Sequence, residues 1–157
     1  MRYILSASAI ALALTAVATP LQTTLEAQQA ASSAAVPAGE VALGTVTIGR
    51  NVLADGKPLR AGTYRLRLTG NQAQPVPPGQ TAEYERWVEF LRGNQVVGRE
   101  VVSIVPQSEI KDVAQDAPPR AGAAKVQLLK GNDYLRIWVN RGGTHYLVHL
   151  PTEGAAS

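Results

Sequence analysis

Cysteine is absent from the 157-residue chain, which excludes a disulfide framework, a thiolate metal centre, a Cys nucleophile and an acylated N-terminal cysteine. The fold must hold by packing alone. Histidine occurs only at positions 145 and 149, and aromatic residues make up 5% of the chain, with one Phe and two Trp. Charge of one sign is scarce: 15 basic against 12 acidic side chains leave a net +3, and the basic residues from Arg50 to Arg141 stand singly among acids. No stripe tracks a phosphate backbone, so nucleic acid is not an expected partner. Long hydrophobic runs are missing as well. Residues 3–18 are apolar but for Ser6, Ser8 and Thr15, short of the roughly 20 apolar residues that a stable membrane span needs.

That run directly follows Arg2, which is the arrangement of a secretory signal peptide. Ala16 and Ala18 satisfy the small-x-small rule for cleavage before Thr19, and Ala27 and Ala30 offer later sites, so residues 1–30 are read as a leader whose cleavage site stays open. Residues 31–40 follow as a flexible tether containing Pro37 and Gly39, residues 41–151 as the folded domain, and residues 152–157 as a disordered polar tail. Removing residues 1–30 takes away Arg2 and Glu26, so 14 basic and 11 acidic side chains remain and the net charge stays +3. The expected location is the periplasm or the exterior of a bacterium, with no integral membrane span after leader cleavage. A secreted eukaryotic domain of this size more often carries disulfides.

From residue 41 onward, nearly every apolar segment is five to ten residues long and closed by Gly, Asn or Pro, the grammar of strands and turns. Residues 41–48 (VALGTVTI) predict a strand with a bulge at Gly44, and Asp55-Gly56 predicts a turn. Residues 63–69 place Tyr64, Leu66 and Leu68 on one face and Arg65 and Arg67 on the other. After a Pro-rich loop over residues 70–81, residues 83–105 predict a hairpin, with Val88 and Phe90 buried and Gly98 at a bulge. Residues 108–113 allow one helical turn capped by Ser108. Residues 125–130, 134–140 and 144–150 predict a three-stranded antiparallel meander. The expected fold is all-β: a small antiparallel β-sandwich of about seven strands, immunoglobulin-like or transthyretin-like, in preference to a barrel. Residues 54–68 (ADGKPLRAGTYRLRL) resemble the turn-and-strand opening of exported bacterial β-sandwich modules, including transthyretin-like and carboxypeptidase-regulatory-like domains. The resemblance covers about 15 residues, carries no catalytic residue and implies only the fold.

Chemistry-bearing constellations are few. On a strand, His145 and His149 share a face but lie roughly 13 Å apart at about 3.3 Å per residue, too far to ligate one metal together. No nucleophile elbow, phosphate loop, zinc-protease signature or calcium loop is present, Asp55-Gly56 and Asn132-Asp133 are explained by turns, and Ser103 and Ser108 lack an activating context. No catalytic residue, metal or cofactor is expected. The feature that remains is aromatic: Tyr134, Arg136, Trp138, Tyr146 and Trp87 are the candidate ligand-binding residues, a surface of flat rings and guanidinium groups. The competing expectation puts Tyr134 and Trp138 in the core, with Leu135, Ile137 and Val139 under a loop or at a dimer interface. Two functions follow. One is a noncatalytic exported interaction module of the cell envelope or exterior, holding another envelope protein through its aromatic face or a free sheet edge. The other is a carbohydrate or small-ligand binder that stacks a sugar on Trp138 and Tyr146. A small hydrolase ranks third, and oligomeric state stays open.

Overall fold

The computed structural model describes residues 36–74 and 84–154. The expected leader, most of the Pro-rich loop and the last three residues lie outside the described residues. The elements run β1 (Val41–Ile48), β2 (Val52–Ala54), β3 (Lys57–Leu59), β4 (Gly62–Gln72), β5 (Glu85–Arg92), β6 (Gln95–Pro106), a single helical turn α1 (Ile110–Val113), β7 (Ala124–Leu129), β8 (Tyr134–Arg141) and β9 (Thr144–Pro151). The chain is all-β and antiparallel. Seven strands join in one continuous ladder in the order β1-β4-β5-β6-β9-β8-β7, and β2 and β3 form a separate hairpin. The sheet curls far enough for β1 to lie against β7 and β8.

Alternation and two irregularities give the sheet its inner face. On β4, Tyr64, Leu66 and Leu68 are buried, as the period of two predicts. On β1, Leu43, Val46 and Ile48 are all buried, although Leu43 and Val46 have opposite parity. The register slips between Ala42 and Gly44, where Gly44 adopts φ +112°, and this bulge turns both side chains inward. A second slip sets Phe90 against Gly98 and Leu91 against Val96, leaving Val97 as the extra residue beside the predicted Gly98. The inner face collects Val88, Phe90, Val102, Ile104, Ile137, Val139 and Val148 with the β4 and β1 residues, and each fully buried aliphatic chain contributes about 1.5–3 kcal/mol.

The β2–β3 hairpin plugs one end of the curled sheet. Asp55 (φ 50°) and Gly56 (φ 69°) form the predicted turn, and Val52, Ala54 and Leu59 enter the core. Gly98 allows the close approach: a Cβ there would stand 3.2 Å from Leu59 Cδ1. The Glu100 carboxylate fixes the hairpin by accepting from the Asp55 amide at 2.8 Å.

A second layer covers the outer face. Residues 107–123 cross β6, β9 and β8 and build a small core from Val105, Ile110, Ala114, Trp138 and Leu147. The helical turn exists, but its N-cap is Glu109 without a side-chain cap bond, so the predicted Ser108 cap is corrected. At the C-terminus Thr152, expected in the polar tail, is buried and bonds through Oγ1 to the Asn132 carbonyl at 2.8 Å. It also bridges to Val52, which ties the chain end to the hairpin. Near the start, Val36 packs on the main core inside the expected tether. No helix among the described residues is long and apolar enough to cross a membrane.

Candidate functional site

The five residues proposed as a ligand-binding face do not share one. Arg136 and Trp138 lie on the outer face of β8, whereas Tyr146 of β9 pairs with Val139 and joins the inner core at 2% exposure. Trp87 is half-buried on β5 with the Arg99 guanidinium 4.3 Å from its ring centroid, and Tyr134 is half-buried at the start of β8. Trp138 is 0% exposed. Of the competing expectation, the buried Trp138 holds, in a small core under the loop, and the rest is corrected: Leu135, Ile137 and Val139 face the main core, and Tyr134 is only half-buried. Both parities of β8 are buried because β8 lies between two layers.

Trp138 and Arg136 instead anchor the covering loop. Trp138 Nε1–H donates to His145 Nδ1 at 3.0 Å, which leaves the neutral imidazole proton on Nε2, where it donates to Gln107 Oε1 at 2.9 Å. Burial lowers the His145 pKa, in keeping with that neutral form. Arg136 donates to Asp116 and to Gln127 Oε1, both at 3.1 Å, and Asn140 Nδ2 donates to the Pro119 carbonyl at 2.9 Å. Each bond runs from the sheet to the loop or closes that network. His149, on the same face as His145, is exposed. Among the described residues no group of three or more His, Cys, Asp or Glu side chains is placed to hold a metal ion.

A groove of about 410 Å³ lies over β1 and β4, lined by Ala42, Gly44, Thr45, Arg65, Arg67 and Asn94 among others. Its cations are already engaged. Arg65 donates to the Gly93 carbonyl and to Asn94 Oδ1, and Arg67 pairs with Glu89 and, at 3.7 Å, with Glu40. An incoming ligand would have to displace these partners. The nearest approach to a catalytic pair is Glu85 with Ser103, direct cross-strand neighbours. Burial raises the Glu85 pKa, opposed by the hydrogen bond with Ser103. The one buried imidazole among the described residues is committed to Trp138 and Gln107 and is not placed to complete a triad with this pair.

Two features remain without an internal assignment. Strand β7 is a sheet edge whose ladder with β8 runs without a register slip from Ala124 to Leu129. Val126 and Leu128 have the parity of the core residues Ile137 and Leu135 opposite them, yet are 37% and 41% exposed. The sequence pattern predicts an ordinary strand here, because edge position is decided by which strands pair, and no local pattern reports it. The second feature is Arg86, a cation on the core parity of Val88 and Phe90, 8% exposed, with Nε and Nη1 unbonded. A guanidinium at a core-parity position was visible in the sequence and was the signal to follow. The chain matches no known protein family, no curated protein and no solved structure.

Proposed function

We propose that the protein is a noncatalytic exported interaction module of the bacterial envelope or exterior, which holds a protein partner by strand addition to β7. The observation that carries this reading is the exposure of Val126 and Leu128 on a regular, unbulged edge strand. Edge strands of self-contained proteins are blunted by bulges, prolines or inward charges. The other edge, β1, has such a bulge at Gly44, whereas β7 has no bulge, proline or inward charge and carries Lys125 as its one charged side chain. An extended partner segment entering along the seam where β1 lies against β7 without ladder bonds would gain main-chain bonds from that side of β7 and apolar contacts from the two exposed side chains. Export rests on the leader-like residues 1–30. The scaffold is one curled antiparallel sheet whose two edge strands, β1 and β7, are brought together, the arrangement of a sheet closing on itself, so the sandwich expected from the sequence draws no support from it. The alternative of sugar stacking on Trp138 and Tyr146 is disfavoured because both rings are buried on opposite faces.

The test is site-specific photo-crosslinking in cells that export the full chain, with the probe at Val126, at Leu128 or at the exposed Val113 as control. One envelope protein should be trapped from both β7 positions and not from Val113, and a Leu128→Glu change should abolish the adduct made from Val126 while the protein stays folded. Equal trapping from Val113, or none from β7, overturns the reading.

A further inference from the structure

Arg86 pairs with Val102 on β6, which pairs with Val148 on β9, so its stem rises from the hydrophobic floor of the curled sheet. A guanidinium keeps its charge at every ordinary pH, and a buried charge without partners is strongly disfavoured. Arg86 forms no ion pair among the described residues, and its Nε and Nη1 donors are unsatisfied. The only acid beside it in sequence, Glu85, points to the opposite face of β5.

The next inner row toward the end of the sheet remote from the β2–β3 hairpin contains Ile104, Tyr146 and Val139, and the row beyond contains Arg141 opposite Thr144. Tyr84 and Val36 pack on the core as partly buried neighbours. The Tyr146 hydroxyl lies in the field of both cations: burial raises its pKa, while Arg141 and Arg86 oppose that rise. Arg141 has no ion pair among the described residues either. Two positive charges and a phenol therefore share one end of the sheet, and the buried cation holds free donors.

We propose that Arg86, Arg141 and Tyr146 bind a small oxyanion, a carboxylate or phosphate group, at the end of the curled sheet opposite the β2–β3 hairpin. The ligand supplies the counter-charge that no described residue provides: one of its oxygens accepts a charge-assisted bond from the free Nε–H or Nη1–H, which lie on opposite edges of the Arg86 guanidinium. Tyr146 O–H donates a further bond, and the exposed Arg141 draws the anion inward. The site uses neither Val126 nor Leu128, and the Arg141→Gln change leaves both β7 residues in place, so its failure leaves the interaction reading intact, and the converse holds.

The experiment titrates inorganic phosphate and acetate, separately and at constant ionic strength with chloride, into the full chain labelled with ¹⁵N-arginine. The arginine Nε–H resonances and the thermal midpoint are followed together. Arg86 and Arg141 resonances should move saturably with one probe, half-saturating at roughly 1 mM or below, and the midpoint should climb with the logarithm of its concentration. Saturation by phosphate alone assigns a phosphoryl ligand, and saturation by acetate alone a carboxylate. Arg86→Met should abolish both responses without lowering the midpoint in chloride, because the orphaned charge goes with it. Arg141→Gln, at an exposed position, should weaken binding at least tenfold and keeps the test readable if Arg86→Met does not fold. Resonances that respond to neither probe, or responses that persist unchanged in Arg86→Met or Arg141→Gln, overturn the proposal.

Discussion

Replacing Trp138 by alanine separates a core indole from a binding-face indole. The ring is 0% exposed and packs with Val105, Ile110, Ala114 and Leu147, so its deletion removes a fully buried aromatic side chain and leaves a cavity, a loss of about 3–5 kcal/mol. The substitution also strips His145 Nδ1 of its donor, and an unsatisfied buried acceptor adds about 1–3 kcal/mol, reduced where water enters the cavity. A domain of this size has about 5–15 kcal/mol in total, so Trp138→Ala removes about a quarter or more. At a urea slope of about 1.5 kcal/mol/M, the unfolding midpoint falls by about 3–5 M. Trp138→Phe keeps most of the packing and loses the hydrogen bond, so its loss is about half as large. Iodide quenching in a Trp87→Phe background gives an independent reading, with Trp138 as the only indole. Quenching close to that of free indole, or a cost for alanine below about 1 kcal/mol, would refute the assignment of Trp138 to the core beneath the loop.

Two pH predictions follow from buried titratable groups. Burial raises the Glu85 pKa above 4.5, so its contribution to stability is fully present below 4.5 and is lost as pH climbs through the folded value. Glu85→Gln should melt higher than the parent at pH 7 and close to it at pH 4; thermal melts that keep the same difference at both pH values contradict this. His145 runs the other way. Its pKa is lowered from 6.5 by burial, so its contribution is present above 6.5 and is lost as pH falls toward the folded value. Protonation at Nδ1 would also set two donors, the new N–H and Trp138 Nε1–H, against each other. Residues 107–123 should become more susceptible to limited proteolysis at pH 5 than at pH 7.5, and the reasoning fails if cleavage in that segment is insensitive to pH.

Much of the local architecture was legible. The bulge at Gly44, the Asp55-Gly56 turn, the inward row Tyr64, Leu66 and Leu68, the hairpin ending in Pro106 and the final meander are all written in alternation and turn chemistry, which act over a few residues. The candidate site was not legible in the same way. Alternation separated Leu135, Ile137 and Val139 from Tyr134, Arg136 and Trp138 correctly, but it could not report that a loop lies over the second set. Tyr146 was grouped with Trp138, and its pairing with Val139 shows that cross-strand register sends it to the other face. Thr152 looked like tail because its partners, Asn132, Asp133 and Val52, come from elsewhere in the chain.

By itself, the sequence determined that the fold is all-β, held without disulfides and divided by short turns, because backbone sterics and the period of two are local properties. Only the tertiary structure decided that seven strands form one curled sheet, that β7 is left as an edge, that Trp138 anchors a loop and that Arg86 is buried with no counter-charge among the described residues. Those outcomes depend on which segments meet across long stretches of chain. Burial, pairing and electrostatic isolation are properties of the assembled neighbourhood, and none of them belongs to a residue alone.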